Sequence, residues 1–105
     1  GGGGAAAAAS EQAVRMAELE ARTAHDELSA AAGVVAALEK AAAAAEANAA
    51  AQSEDYRLGQ VTNLDVLGGL NSLQQARLLS SRARLDAWSA RARLDVAAGN
   101  PGGIL

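Results

Sequence analysis

The polar residues whose spacing carries meaning lie between positions 56 and 65. Thr62 and Asp65 stand in a T-x-x-D pattern. In that pattern a threonine hydroxyl accepts from a backbone N–H in the first turn of a helix, and the acidic side chain returns a hydrogen bond to the threonine N–H. Val61 and Val66 flank it at the two positions where a hydrophobic staple forms. Gly59, just upstream, can take positive φ, so 58–62 reads as a tight turn before a capped helix start. Elsewhere chemistry is sparse. His25 is the only histidine and has no second ligand at a suitable spacing, so it reads as a solvated surface residue and no metal site is expected. No Ser/His/Asp set, phosphate loop or pair of catalytic carboxylates can be assembled. No catalytic residue and no cofactor is therefore expected, and the chain is not read as an enzyme. Trp88 falls in an apolar stripe, where packing is the simpler reading than ligand stacking.

Two long helices must position that turn. The 105 residues suffice for one small domain at most. Hydrophobic content is 50%, but much of it is alanine, which buries little area per residue and would supply a globular core poorly. Ala, Leu, Glu and Arg dominate, as in long helices and coiled coils. The opening G-G-G-G-A-A-A-A-A-S has no charged n-region and reads as a low-complexity lead or the cut edge of a longer chain. Ser10, followed by Glu11, is the expected N-cap of the first helix, over 10–57. A heptad runs through it at Val14, Ala17, Ala21, Ala24, Leu28, Ala31, Val35, Leu38, Ala42, Ala45, Ala49, Gln52 and Tyr56, with Gln52 the one amide in the seam. A helix of this length, roughly 65–70 Å, needs a partner all along it.

The second helix is expected over 63–98, with Gly99 as its stop, Pro101 preventing continuation and 99–105 as a C-terminal tail. It carries two stripes. One is Ala76, Leu79, Ala83, Ala87, Ala90, Leu94 and Ala97; the other is Leu78, Leu85, Trp88, Ala92 and Val96. A helix with two apolar stripes touches neighbours on two sides. Gly68 and Gly69 are costly inside it, up to about 2 kcal/mol together against alanine, unless something packs on the bare backbone. The fold class is therefore all-α, a long antiparallel coiled-coil hairpin.

Net charge is −3, which argues against nucleic acid as a partner. Residues 11–57 hold nine acidic and four basic side chains, and residues 63–97 three acidic and five basic. Arg77, Arg82, Arg84, Arg91 and Arg93 thus look like partners for the acidic first helix, each exposed contact being worth only tenths of a kcal/mol. There is no cysteine, so no disulfide or thiolate site. No run of about twenty apolar residues exists, and no membrane-spanning helix is expected.

The order Y-x-x-G, short turn, L-D-V-L, Leu/Ala/Arg helix, terminal glycine resembles the C-terminal helical hairpin of the TolC-like outer-membrane efflux proteins. Tyr56, Gly59, Leu64, Asp65, Val66 and Leu67 match the specific part; Leu73, Ala76, Ala83, Arg84, Leu94 and Gly99 continue it. The chain departs from the pattern at Val61, where some members carry a basic residue, and at Gly68, where some carry a second acidic one. The resemblance implies a fragment of a trimeric α-helical barrel that crosses the periplasm, with the outer-membrane β-barrel and a second hairpin supplied by other parts of the protein. It implies a homotrimer whose tip docks a periplasmic adaptor protein, and through it an inner-membrane pump. On that reading Tyr56, Arg57, Gly59 and Gln60 are candidate tip contacts. Thr62 and Asp65 cap the helix, and Asp65 is also a candidate lining of the tip aperture. Two rival readings remain, the hairpin of a periplasmic adaptor and a purely structural coiled coil.

Overall fold

The computed structural model describes residues 2–99, with side chains from residue 4. Two helices make up the described chain, α1 (Gly2–Arg57) and α2 (Asn63–Ala97), packed side by side as a hairpin. The molecule measures 87 × 23 × 15 Å. Its long axis is set by α1, whose 56 residues span about 84 Å at 1.5 Å per residue.

The helix starts earlier than Ser10. The expected lead over 1–9 is helical from Gly2 onward, and Ser10 lies inside α1 instead of capping it. Five consecutive alanines, the strongest helix formers, carry the helix upstream past a serine whose capping preference is weaker than that run. The expected role of Pro101 falls outside the described residues.

The seam on α1 follows the heptad closely. Every heptad position from Ala21 to Gln52 is buried or half-buried, and Ala24 and Ala49 are the most enclosed. The seam fails at both ends. Val14 and Ala17 are exposed because α2 ends before it reaches them, and Asp55, not Tyr56, faces inward beside the turn. On α2 the seam positions Gly69, Leu73, Ala76, Ser80, Ala83, Ala87, Ala90, Leu94 and Ala97 are buried or half-buried, alternating four and three, and Val66 and Asp95 are half-buried besides. Leu79, expected in this stripe, is half exposed, and Ser80 takes its place at 1% exposure. Strict four–three alternation outranks the apolarity of a single residue. A serine is tolerated there because its hydroxyl oxygen accepts from Arg84 Nη2 at 3.1 Å.

Alanine on both faces lets the helices approach closely, and glycine more so. An ideal Cβ built on Gly69 would overlap Gln52 Oε1 and lie 3.1 Å from its Cδ, so the Gln52 carboxamide fills the space that a side chain would occupy. Gly68 faces open space. The seam is flanked by cross-helix ion pairs, Arg84 to Glu39 at 3.0 Å, Arg93 to Glu27 at 3.3 Å and Arg77 to Glu46 at 3.9 Å. Arg91 instead pairs within α2, with Asp95 at 3.3 Å. Among the described residues Arg82 makes no ion pair.

One expectation needs correction. An 18-residue window within Gly4–Arg57 reaches a mean hydropathy of 1.4, so α1 is long and apolar enough to cross a membrane by length and composition. Alanine supplies that value, and the window belongs to a helix pair bearing arginines and glutamates along its length. Each charge placed at the centre of a bilayer would cost roughly 2.5–3.5 kcal/mol.

Candidate interaction site at the hairpin tip

The turn is closed by two backbone devices in succession. The Gln60 N–H donates to the Asp55 carbonyl at 2.8 Å and the Gly59 N–H to the Tyr56 carbonyl at 2.9 Å. With Gly59 at φ +76°, this is the Schellman arrangement that satisfies the last carbonyls of a helix. Three residues on, Thr62 adopts an extended backbone and caps α2. The Asp65 N–H donates to Thr62 Oγ1 at 3.2 Å. Asp65 Oδ2 accepts from both the Thr62 N–H at 2.9 Å and its hydroxyl at 3.0 Å. These hydrogen bonds, the backbone one foremost, hold the Asp65 carboxyl below its ordinary range. Val61 and Val66 are both half-buried, as staple positions should be.

The candidate contact residues surround this frame. Arg57 sits in the last turn of α1, where a cation favours the helix dipole, and its Nε donates to Glu54 at 3.1 Å. That hydrogen bond lowers the Glu54 carboxyl and raises the Arg57 guanidinium. Gln60 and Gly59 are exposed at the apex, and a Cβ on Gly59 would meet nothing within 4 Å. Tyr56 has left the seam and stands 48% exposed on the outside of α1. The structure therefore gathers Tyr56, Arg57, Gly59 and Gln60 on one open end, with Thr62 and Asp65 committed to the cap.

The polar emphasis misses the apolar half of the tip. Leu58, Leu64 and Leu67 are all exposed, Leu64 at 77%. The signal was available in the capping frame. With Thr62 as N-cap, the inward staple position is Val66, so Leu64 and Leu67 are turned away from α1. The turn thus exposes three leucines and a tyrosine to solvent beside the polar Arg57 and Gln60.

No protein-family model, no curated protein and no solved structure matches this chain.

A second uncovered surface runs along α2. Leu78, Leu85 and Trp88 are exposed outside the seam, Trp88 at 74%, and Val96 is exposed at the far end of the helix. At the far end, an open groove of about 700 Å³ lies where α2 stops and α1 continues, walled by Leu19, Ala24, Ala92 and Val96 and edged by Glu27 and Arg93. Among the described residues no group of His, Cys, Asp or Glu is arranged to hold a metal ion.

Proposed function

We propose that this hairpin is a stave of a TolC-like outer-membrane channel, with its turn as the periplasmic tip that docks an adaptor protein. The observation that carries the reading is the pairing of two uncovered apolar features on one rigid hairpin. One is the lateral stripe of Leu78, Leu85 and Trp88, and the other is the leucine-bearing tip around Leu58, Leu64 and Leu67. A stave in a closed barrel of helices must contact a neighbour on each side, and a second stripe on α2 is what such a neighbour would cover. In this reading the chain belongs to a homotrimer, lies in the periplasm below an outer-membrane β-barrel, and meets an inner-membrane pump through the adaptor. It passes substrate without chemistry of its own.

The match of Tyr56, Gly59, Leu64, Asp65, Val66 and Leu67 to the family motif supports the same reading, because Gly59, Asp65 and Val66 build the turn and the helix start while Tyr56, Leu64 and Leu67 stand exposed around it. An adaptor hairpin has the same two-helix outline, but a free-standing hairpin has no need of a Trp- and Leu-bearing lateral stripe. The test is cross-linking in the assembled, membrane-inserted protein. Cysteine at Gln60 should cross-link to a periplasmic adaptor, and cysteine at Ala30, mid-way along α1, should not. Absence of any adaptor cross-link at Gln60 and at Leu64 would remove the docking role.

A further inference from the structure

We propose that the exposed leucine and tryptophan line of α2 packs on the outward small-residue face of α1 in a second copy of this chain, with Trp88 seated over Gly33. On α2 the line runs Leu78, Ser81, Leu85 and Trp88, in steps of three and four, all exposed. From the helical repeat it lies about 150° around α2 from the seam, so α1 of the same hairpin cannot cover it. On the far side of α1 the relief is the opposite. The line Ser29, Gly33, Ala36, Lys40, Ala43 and Ala47 is exposed throughout and, apart from Lys40, small throughout. Glycine is a poor helix former, and a Cβ on Gly33 would meet nothing within 4 Å, so nothing inside the hairpin accounts for it.

Height along the rod brings the two lines into match. The pairs Arg84–Glu39 and Arg77–Glu46 fix which residues of α1 and α2 stand level. On that scale Trp88 is level with Gly33, Leu85 with Ala36 and Leu78 with Ala43. Copies set side by side with their turns at one end therefore place each bulky side chain of α2 on a small residue of the neighbouring α1. Ser81 meets Lys40, whose ammonium can donate to the serine hydroxyl. A shift of one heptad either way would put the Trp88 indole on Asp26 or Lys40 instead. Charge selects the same pairing. α1 is acidic and α2 basic, so α2 beside a neighbour's α1 attracts, whereas α2 beside α2 or α1 beside α1 repels. Arg77 and Arg84 lie on the arc of α2 between the seam and the outer line, so each has its own glutamate on one side and the second copy's on the other. Such an interface is heterologous, and each copy keeps a free face of either kind, so association continues past two copies. This contact names the surface that the lateral stripe meets. It is read on the chain alone, and failure of adaptor docking at the tip would leave it standing.

Disulfide formation between two single-cysteine versions of the full chain tests it, and the absence of native cysteine keeps the readout clean. Leu85→Cys mixed with Ala36→Cys should form the mixed disulfide about tenfold more than Leu85→Cys mixed with Ala50→Cys, two heptads away on the same face. Leu85→Cys alone should pair with itself only weakly. Trp88, the only tryptophan, reports the same contact by fluorescence, its emission moving to the blue as concentration rises. Gly33→Leu fills the space under the indole and should raise the concentration at half-maximal shift about tenfold. Ala41→Leu, exposed but off this face, should leave that concentration unchanged. If Gly33→Leu loses its helical circular dichroism, the cross-links alone decide. The proposal is overturned if no mixed disulfide forms, if Ala36 and Ala50 trap equally, if the Leu85→Cys chains pair mainly with themselves, or if a folded Gly33→Leu chain shifts like the parent.

Discussion

Asp65 holds two hydrogen bonds from Thr62 on one carboxylate oxygen, and the tip depends on its charge. Its folded pKa is depressed, so the stabilisation is fully present above the unfolded value of about 3.9 and is lost as pH falls through the lower folded value. Glu54, lowered by Arg57, contributes in the same direction. Urea midpoints at neutral and acid pH should therefore fall together with pH. Asp65→Asn should lower the neutral midpoint and flatten that fall; an unchanged acid slope would show that the cap does not titrate with folding. Thr62→Ala removes the acceptor of the Asp65 N–H and should cost about 1 kcal/mol in the same assay. Gly59→Ala places a Cβ in open space but at φ +76°, and should cost about 1–2 kcal/mol from backbone strain alone.

At the level of the helix, α2 has two apolar faces with opposite physical status. The seam face is closed, so Ala83→Leu, at a position 5% exposed, should overpack it and destabilise the chain by about 1–3 kcal/mol. Leu85→Ala, on the uncovered face of the same helix, should change the urea midpoint of the monomer by no more than about 0.5 kcal/mol. Equal losses at the two sites would mean that the faces are misassigned. The cross-helix ion pairs add little to this contrast. Each pair joins half- to well-exposed side chains, and a double-mutant cycle on Arg84 and Glu39 should return tenths of a kcal/mol that shrink with salt.

For the molecule as a whole, a rod 87 Å long and 15 Å thick has almost no interior. Its buried set is mainly alanine, while Leu78, Leu85 and Trp88 lie outside. The isolated chain should therefore be helical, of low stability and self-associating, with an apparent melting temperature that rises with protein concentration. Sedimentation velocity checks this. Replacing Leu78, Leu85 and Trp88 together by Glu should hold the chain as a monomer over the same concentration range. A monomeric parent chain with a concentration-independent melt would show that the stripe does not drive association.

Much of this architecture was legible from local patterns. The T-x-x-D pair, the glycine before it and the heptad from Ala21 to Gln52 each rest on contacts within a few residues or on strict periodicity, and such rules can be read along one chain. Three features required the tertiary structure. Ser80 displaces Leu79 because the partner helix imposes one four–three alternation on α2, whatever the side chain at each step. Tyr56 lies outside the seam because the inward step after Gln52 is three residues, to the half-buried Asp55, and not seven from Ala49. Gly69 is explained only by a residue on the other helix, Gln52, whose carboxamide fills the missing side chain's place. Periodicity determines which face of each helix is apolar; only the docked pair decides which residues of the two faces meet, because that choice depends on volumes contributed from both sides of the seam.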